Sequence, residues 1–151
     1  MTSHHRARPL FLATALATML GSAPTLAMTE GVTSQGLAFI SGGVGQDERE
    51  TMSSRRNQFS LHLTAAAKRS GAYLGDVQIR IVETSNGRIV LETAMDGPWL
   101  LVGLALGEYR VEARHANQAL AKSTRIHASD LHEVIFYFDT PVDVLPAGQT
   151  R

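Results

Sequence analysis

Between Phe59 and Asp139 apolar and polar residues alternate with a period of two in four segments, the pattern of strands with one buried and one wetter face. FSLHLTAA sets Phe59, Leu61 and Leu63 against Ser60, His62 and Thr64, and VQIRIVET sets Val77, Ile79 and Ile81 against Gln78 and Arg80. YRVEAR sets Tyr109, Val111 and Ala113 against Arg110, Glu112 and Arg114, and EVIFYF sets Val134, Phe136 and Phe138 against Ile135 and Tyr137. Three weaker runs, RIVLETA, WLLVGL and QALAKSTRIHA, lie between them. Asn86-Gly87 tolerates positive φ and predicts a two-residue hairpin joining a strand ending near Glu83 to one starting near Ile89. Asp96-Gly97-Pro98 and Leu106-Gly107-Glu108 punctuate the chain in the same way. Seven short strands with no helical period between them predict an all-β fold, a seven-stranded antiparallel β-sandwich over residues 59–139, with a closed barrel as the structural alternative.

The most apolar stretch, DGPWLLVGLALGEYRVEAR from Asp96 to Arg114, reads as core rather than as a ligand pocket. A pocket needs convergent polar groups, and the stretch offers only Asp96 and Glu108, both at turns. Trp99 and Leu101 share one face, and a bulge at Gly103 returns Leu104 to the face of Tyr109 and Val111.

The beginning of the chain follows a different pattern. MTSHHRARP carries Arg6 and Arg8, LFLATALATMLG is an apolar run, and SAPTLA supplies small residues before a cut after Ala27. The run is shorter than the roughly 20 residues of a membrane span, so residues 1–27 are expected to be a cleaved signal peptide, leaving no membrane span. The full chain balances 14 Lys and Arg against 14 Asp and Glu. Losing the leader removes Arg6 and Arg8 but no carboxylate, so the remainder is slightly acidic, which argues against nucleic acid as a partner. The chain has no cysteine, which excludes a lipobox thiol, a cysteine nucleophile and disulfide staples. A periplasmic or secreted domain held together by burial alone is the expectation.

The spacing D-G-x-W-x-L-x-x-L-x-x-G-x-Y-x-V, here Asp96, Gly97, Trp99, Leu101, Leu104, Gly107, Tyr109 and Val111, resembles the carboxypeptidase regulatory-like domain. SGAYLGDVQIRIVETSNGRIVLETA is similar to that family's first hairpin, and FISGGVGQDERETM resembles a segment of small exported bacterial proteins that carry it. Ala105 and Leu106 depart from the prolines often found there. The resemblance covers about residues 59–139 and implies a transthyretin-like, prealbumin-like sandwich with accessory or binding roles rather than a reaction.

The chain lacks the Tyr-Arg-Gly-Ser ending of hydroxyisourate hydrolases, which share the sandwich, and the His-x-His iron ligands of intradiol dioxygenases. No serine lies in G-x-S-x-G, and ISGGVGQ lacks the Lys-Ser/Thr of a P-loop. His62 and His115 read as solvent-face residues. His127 and His132 flank ASDL, read as a hairpin loop, with only Asp130 as a further ligand type, so neither a metal nor a cofactor is expected.

Residues 28–58 read as a leader into the sandwich. Gly42, Gly43 and Gly45 form a turn, and QDERETMSSRR then predicts a short helix with Asp47, Glu48 and Glu50 at its start and Arg55 and Arg56 at its end. Its apolar stripe is thin, Val44 and Met52, which suggests a docking arm with Val44, Asp47, Glu48, Met52, Arg55 and Arg56 facing an envelope protein or glycan partner. On that reading a chain beginning near Asn57 folds by itself, and residues 140–151 form a flexible tail. The function expected is an exported non-enzymatic accessory or binding module of the cell envelope. A small hydrolase or carbohydrate-binding sandwich with a site at the loop ends is the alternative, which convergence of Asp76, Arg80, Glu112 and His115 would favour.

Overall fold

The computed structural model describes residues 28–128 and 130–141; the expected signal peptide, and the expected tail beyond residue 141, lie outside them. In chain order the strands are β1 Thr29–Val32, β2 Ala38–Gly42, β3 Leu61–Ala67, β4 Gln78–Glu83, β5 Ile89–Ala94, β6 Trp99–Val102, β7 Gly107–His115, β8 Gln118–Ile126 and β9 His132–Phe138. One helix, α1 Gln46–Ser54, and a single 3₁₀ turn, Arg56–Gln58, lie between β2 and β3. The strands form a five-stranded sheet of order β1-β2-β6-β3-β9 and a four-stranded sheet of order β5-β4-β7-β8. The fold is all-β and two-layered.

Two expectations are corrected. There are nine strands among the described residues rather than seven, because the segment read as a leader supplies β1 and β2. β2 pairs with β1 on one side and β6 on the other, and it is buried on both faces, through Ile40 and Ser41. Such a strand shows no alternation and escapes a period-2 reading. The sandwich is also not wholly antiparallel: β3 and β9 run parallel, from Leu61 opposite His132 to Ala67 opposite Phe138. ASDL is therefore no hairpin loop. β8 is already paired with β7 in the four-stranded sheet, and the chain crosses to the other layer so that Val134, Phe136 and Phe138 can be buried there.

The main core lies between the sheets and takes the predicted inward residues, among them Leu61, Leu63, Ile79, Ile81, Tyr109, Val111, Phe136 and Phe138. A second cluster lies on the far side of the five-stranded sheet, where Ile40, Met52, Phe59 and Leu101 are buried together and Met28, Trp99 and Leu131 pack against them. β6 separates the two: Leu100 and Val102 belong to the main core, Leu101 to the second. WLLV is continuously apolar because both faces of its strand are covered, and Trp99 is half-buried beside the second cluster. Leu104 does return to the core of Tyr109 and Val111.

The turn at Asn86-Gly87 joins β4 and β5 as expected, but over a longer loop. Glu83 donates its N–H to Arg88 O at 2.8 Å, and Gly87 takes the positive φ of 71°. The register then slips by one between Ile81 and Val82, a bulge that buries the neighbours Val90 and Leu91 together.

Candidate functional site

The 44–56 segment is fastened to the sandwich. The Glu48 carboxylate accepts from the backbone N–H of Gly43 at 2.9 Å and of Val44 at 3.1 Å, satisfying donors just ahead of α1. Arg49 returns toward the same loop, donating to Gly43 O and Val44 O at 2.9 Å each. Met52 is fully buried, which corrects its reading as an exposed docking residue. Its apolar partners come from β2, β6 and Phe59, so a helix with one buried side chain is enough to close the cluster. Arg55 ion-pairs with Glu30 on β1, and Arg56 with Glu133 on β9. Of the six residues proposed for docking, Val44 and Asp47 are exposed, and Glu48, Arg55 and Arg56 make the internal contacts just described.

α1 and the 3₁₀ turn cover only part of the sheet face beneath them. The ladder pairings define what remains. Across β6, β3 and β9 one row reads Leu101, His62, Glu133, and the next reads Trp99, Thr64, Ile135. In the third row Tyr73, bridged to Ala66, takes the place of β6, and Tyr137 stands on the other side. The first row lies at the covered end, by Arg56. In the other two rows the flanking side chains reach solvent: Tyr73 is 53% exposed, Tyr137 50% and Ile135 36%. Between these side chains Thr64 is half-buried and Ala66 is closed over, at 4% exposed. Tyr73 and Trp99 meet edge to face with centroids 6.5 Å apart, and the Arg49 guanidinium lies 5.9 Å from the Tyr73 ring centre.

His62 stands in the first, covered row. Alternation along β3 predicts a solvent-face residue here, and His62 is instead 7% exposed, because the outer face of β3 is roofed at this point. Its Nδ1 lies 3.6 Å from the Glu133 carboxylate, beyond a good hydrogen bond, and both ring nitrogens are buried without a hydrogen-bond partner. Burial, and then the Arg56 charge, hold its pKa below the ordinary imidazole range against the opposing pull of Glu133.

The remaining candidates are dispersed. Arg80 and Glu112 meet at 3.5 Å across β4 and β7, where they line a shallow concavity of about 390 Å³ with Gln78, Glu92 and Arg114. His115 is elsewhere, with its ring centroid 5.4 Å from that of buried Phe138, and Asp76 precedes β4 with a φ of 55°. At one end of the sandwich a groove of about 900 Å³ runs past Arg56, Ser60, Leu106, His127 and Asp130. Ser60 Oγ there accepts the Leu104 N–H and donates to the Leu104 carbonyl, both at 2.8 Å, so it serves the loop rather than a reaction. His127 and His132 do approach, with ring centroids 5.7 Å apart, and the His127 N–H donates to His132 Nε2 at 3.3 Å. Among the described residues no group of three or more His, Cys, Asp or Glu is placed to hold a metal ion, and no helix is long and apolar enough to cross a membrane.

The open half of the outer face was missed by sequence reading. Alternation identified Ile135 and Tyr137 as outward, but Tyr73 lies in no strand segment and joins them only through its bridge to Ala66. The chain matches no family model, no curated protein and no solved structure.

Proposed function

We propose that the chain is an exported, non-enzymatic accessory module of the cell envelope, periplasmic or secreted, that binds its partner on the open half of the five-stranded sheet's outer face. The observation carrying this reading is that one sheet face is divided: its covered half is sealed by Met52 and Phe59, while its other half leaves Tyr73, Ile135 and Tyr137 in solvent. The three stand in adjacent rows of one sheet face, where exposed apolar side chains can serve an interaction. The docking surface therefore moves from α1 to the sheet beside it.

The same proposal takes residues 59–139 as a transthyretin-like sandwich of the carboxypeptidase regulatory-like kind, with β1 and β2 as an added hairpin. Its support is that β3 to β9 supply seven strands in two layers, with Gly107 and Tyr109 at the start of β7 and Leu104 and Val111 beside Tyr109 in the core. A second reading, a small hydrolase or carbohydrate-binding sandwich, draws on the loop-end groove.

The test is photo-cross-linking in cells with a probe residue at Tyr137, at Arg114 on the opposite sheet, or at Asp130 in the groove. Adducts from position 137 alone support the sheet-face reading. Adducts from 130 alone favour the loop-end alternative, and retention of the protein in the cytoplasm would sink the envelope role.

A further inference from the structure

β9 ends the five-stranded sheet and β8 ends the four-stranded one, so each has one edge without a neighbour in its own ladder. The parallel register with β3 fixes which backbone groups of β9 are free. His132 donates its N–H to Ser60 O at 2.9 Å, and Phe138 O accepts the Lys68 N–H at 2.8 Å, so the even-numbered residues turn both backbone groups toward β3. Glu133, Ile135, Tyr137 and Asp139 therefore turn theirs outward. The segment HEVIFYF is rich in β-branched and aromatic residues, has one carboxylate and contains neither Pro nor Gly, the composition of strands that pair with copies of themselves. A bare edge of that kind is a template for another chain.

This edge is not bare. Lys122 stands opposite buried Val111, on the inward side of β8, yet its ammonium reaches across the corner of the sandwich. It donates to Ile135 O at 2.7 Å and lies 5.8 Å from the Phe136 ring centre. Four residues earlier Gln118 clasps the backbone of Asp139: its amide N–H donates to Asp139 O, and its Oε1 accepts the Asp139 N–H at 2.9 Å. Both side chains thus take outward groups of β9. We propose that Lys122 and Gln118 form a latch that shields β9 from antiparallel pairing with the β9 of a second copy of this chain. The register follows from the outward residues. A two-fold pairing centred on Ile135 sets that residue against its own copy and Glu133 against the copy of Tyr137. Every outward N–H and C=O of these three residues then meets a partner, and no like charges stand opposite each other. The Ile135 carbonyl held by Lys122 lies at the centre of that pairing, so latch and second copy compete for one atom.

Sedimentation velocity of the purified protein over a series of concentrations tests the latch. Lys122→Met combined with Gln118→Leu removes its hydrogen bonds while keeping side-chain bulk, and this variant should self-associate at least about tenfold more strongly than the native chain. Lys122→Arg, which keeps a donor, should stay close to native behaviour. Adding Ile135→Lys to the latch variant sets like charges against each other at the two-fold axis and should reverse the gain, with a cooperative melt retained because the side chain at 135 points outward. A latch variant that associates no more strongly than the native chain overturns the inference, as does association that survives Ile135→Lys. Loss of the cooperative melt on removing the latch also overturns it, since the two side chains would then be supports of the fold rather than guards of its edge.

Discussion

The imidazole of His62 meets the indole of Trp99 edge to face, with ring centroids 5.0 Å apart. Together with Arg56 and Glu133, Trp99 keeps a titratable ring out of water at the junction between the covered and open halves of the sheet. Because burial lowers the His62 pKa in the folded state, the unfolded chain binds this proton first as pH falls. Stability is full above the ordinary imidazole pKa of about 6.5 and declines as pH drops below it toward the folded value. Urea melts between pH 7.5 and 5 should show this decline, and His62→Phe should flatten it. An equal slope in the variant would assign the acid sensitivity to other groups.

Trp99→Ala removes a half-buried aromatic and should cost about 2–3 kcal/mol, less than a fully buried one. Leu100→Ala, in the main core, should cost about 2–5 kcal/mol. Arg114→Ala should stay within about 0.5 kcal/mol. Trp99→Ala should also wet His62 and reduce the pH dependence, which Leu100→Ala should not. Denaturant titrations at two pH values distinguish them.

A Cβ at Gly97 would lie 2.3 Å from the carbonyl oxygen of Gly42, a backbone atom that cannot swing aside. Gly97→Ala should therefore destabilise by at least about 1–3 kcal/mol, as overpacking does. Glu48→Ala, which frees the N–H groups of Gly43 and Val44, should cost about 1–2 kcal/mol, and Glu48→Gln should recover part of it. Thermal melts of the three variants check the ordering.

A chain beginning at Asn57 loses β1, β2 and α1, uncovering Leu101 and the edge of β6. It should aggregate or melt without cooperativity, contrary to what a self-sufficient 59–139 domain would do. A cooperative melt within a few degrees of the whole protein would show that the second cluster contributes little.

On the proposed export, N-terminal sequencing of the processed protein should begin at or near Met28, whose side chain packs against the second cluster just ahead of β1. A product beginning beyond Val32 would remove a strand and contradict that assignment.

The legible part of the fold was the part with one wet face. Alternation located β3, β4, β7 and β9 and their inward residues, since polar side chains at every second position leave a trace. It could not show that Leu100 and Leu101 serve different cores, that Met52 has partners 12 residues earlier at Ile40 and far later at Leu101, or that His62 is roofed by Arg56. Those facts depend on which strands become neighbours, and the β3 to β9 pairing has no local signal. The face proposed for binding was illegible for the same reason, because Tyr73, Ala66 and Tyr137 are brought into one row by pairing alone.

That parallel pairing also constrains the order of events during synthesis. β3 has its full partner only when His132 to Phe138 exist, so the five-stranded sheet cannot be completed before they do. Loop closure over most of the domain makes the step slow. A chain wired in this way keeps one edge of β3 unpaired until residues 132–138 have been made.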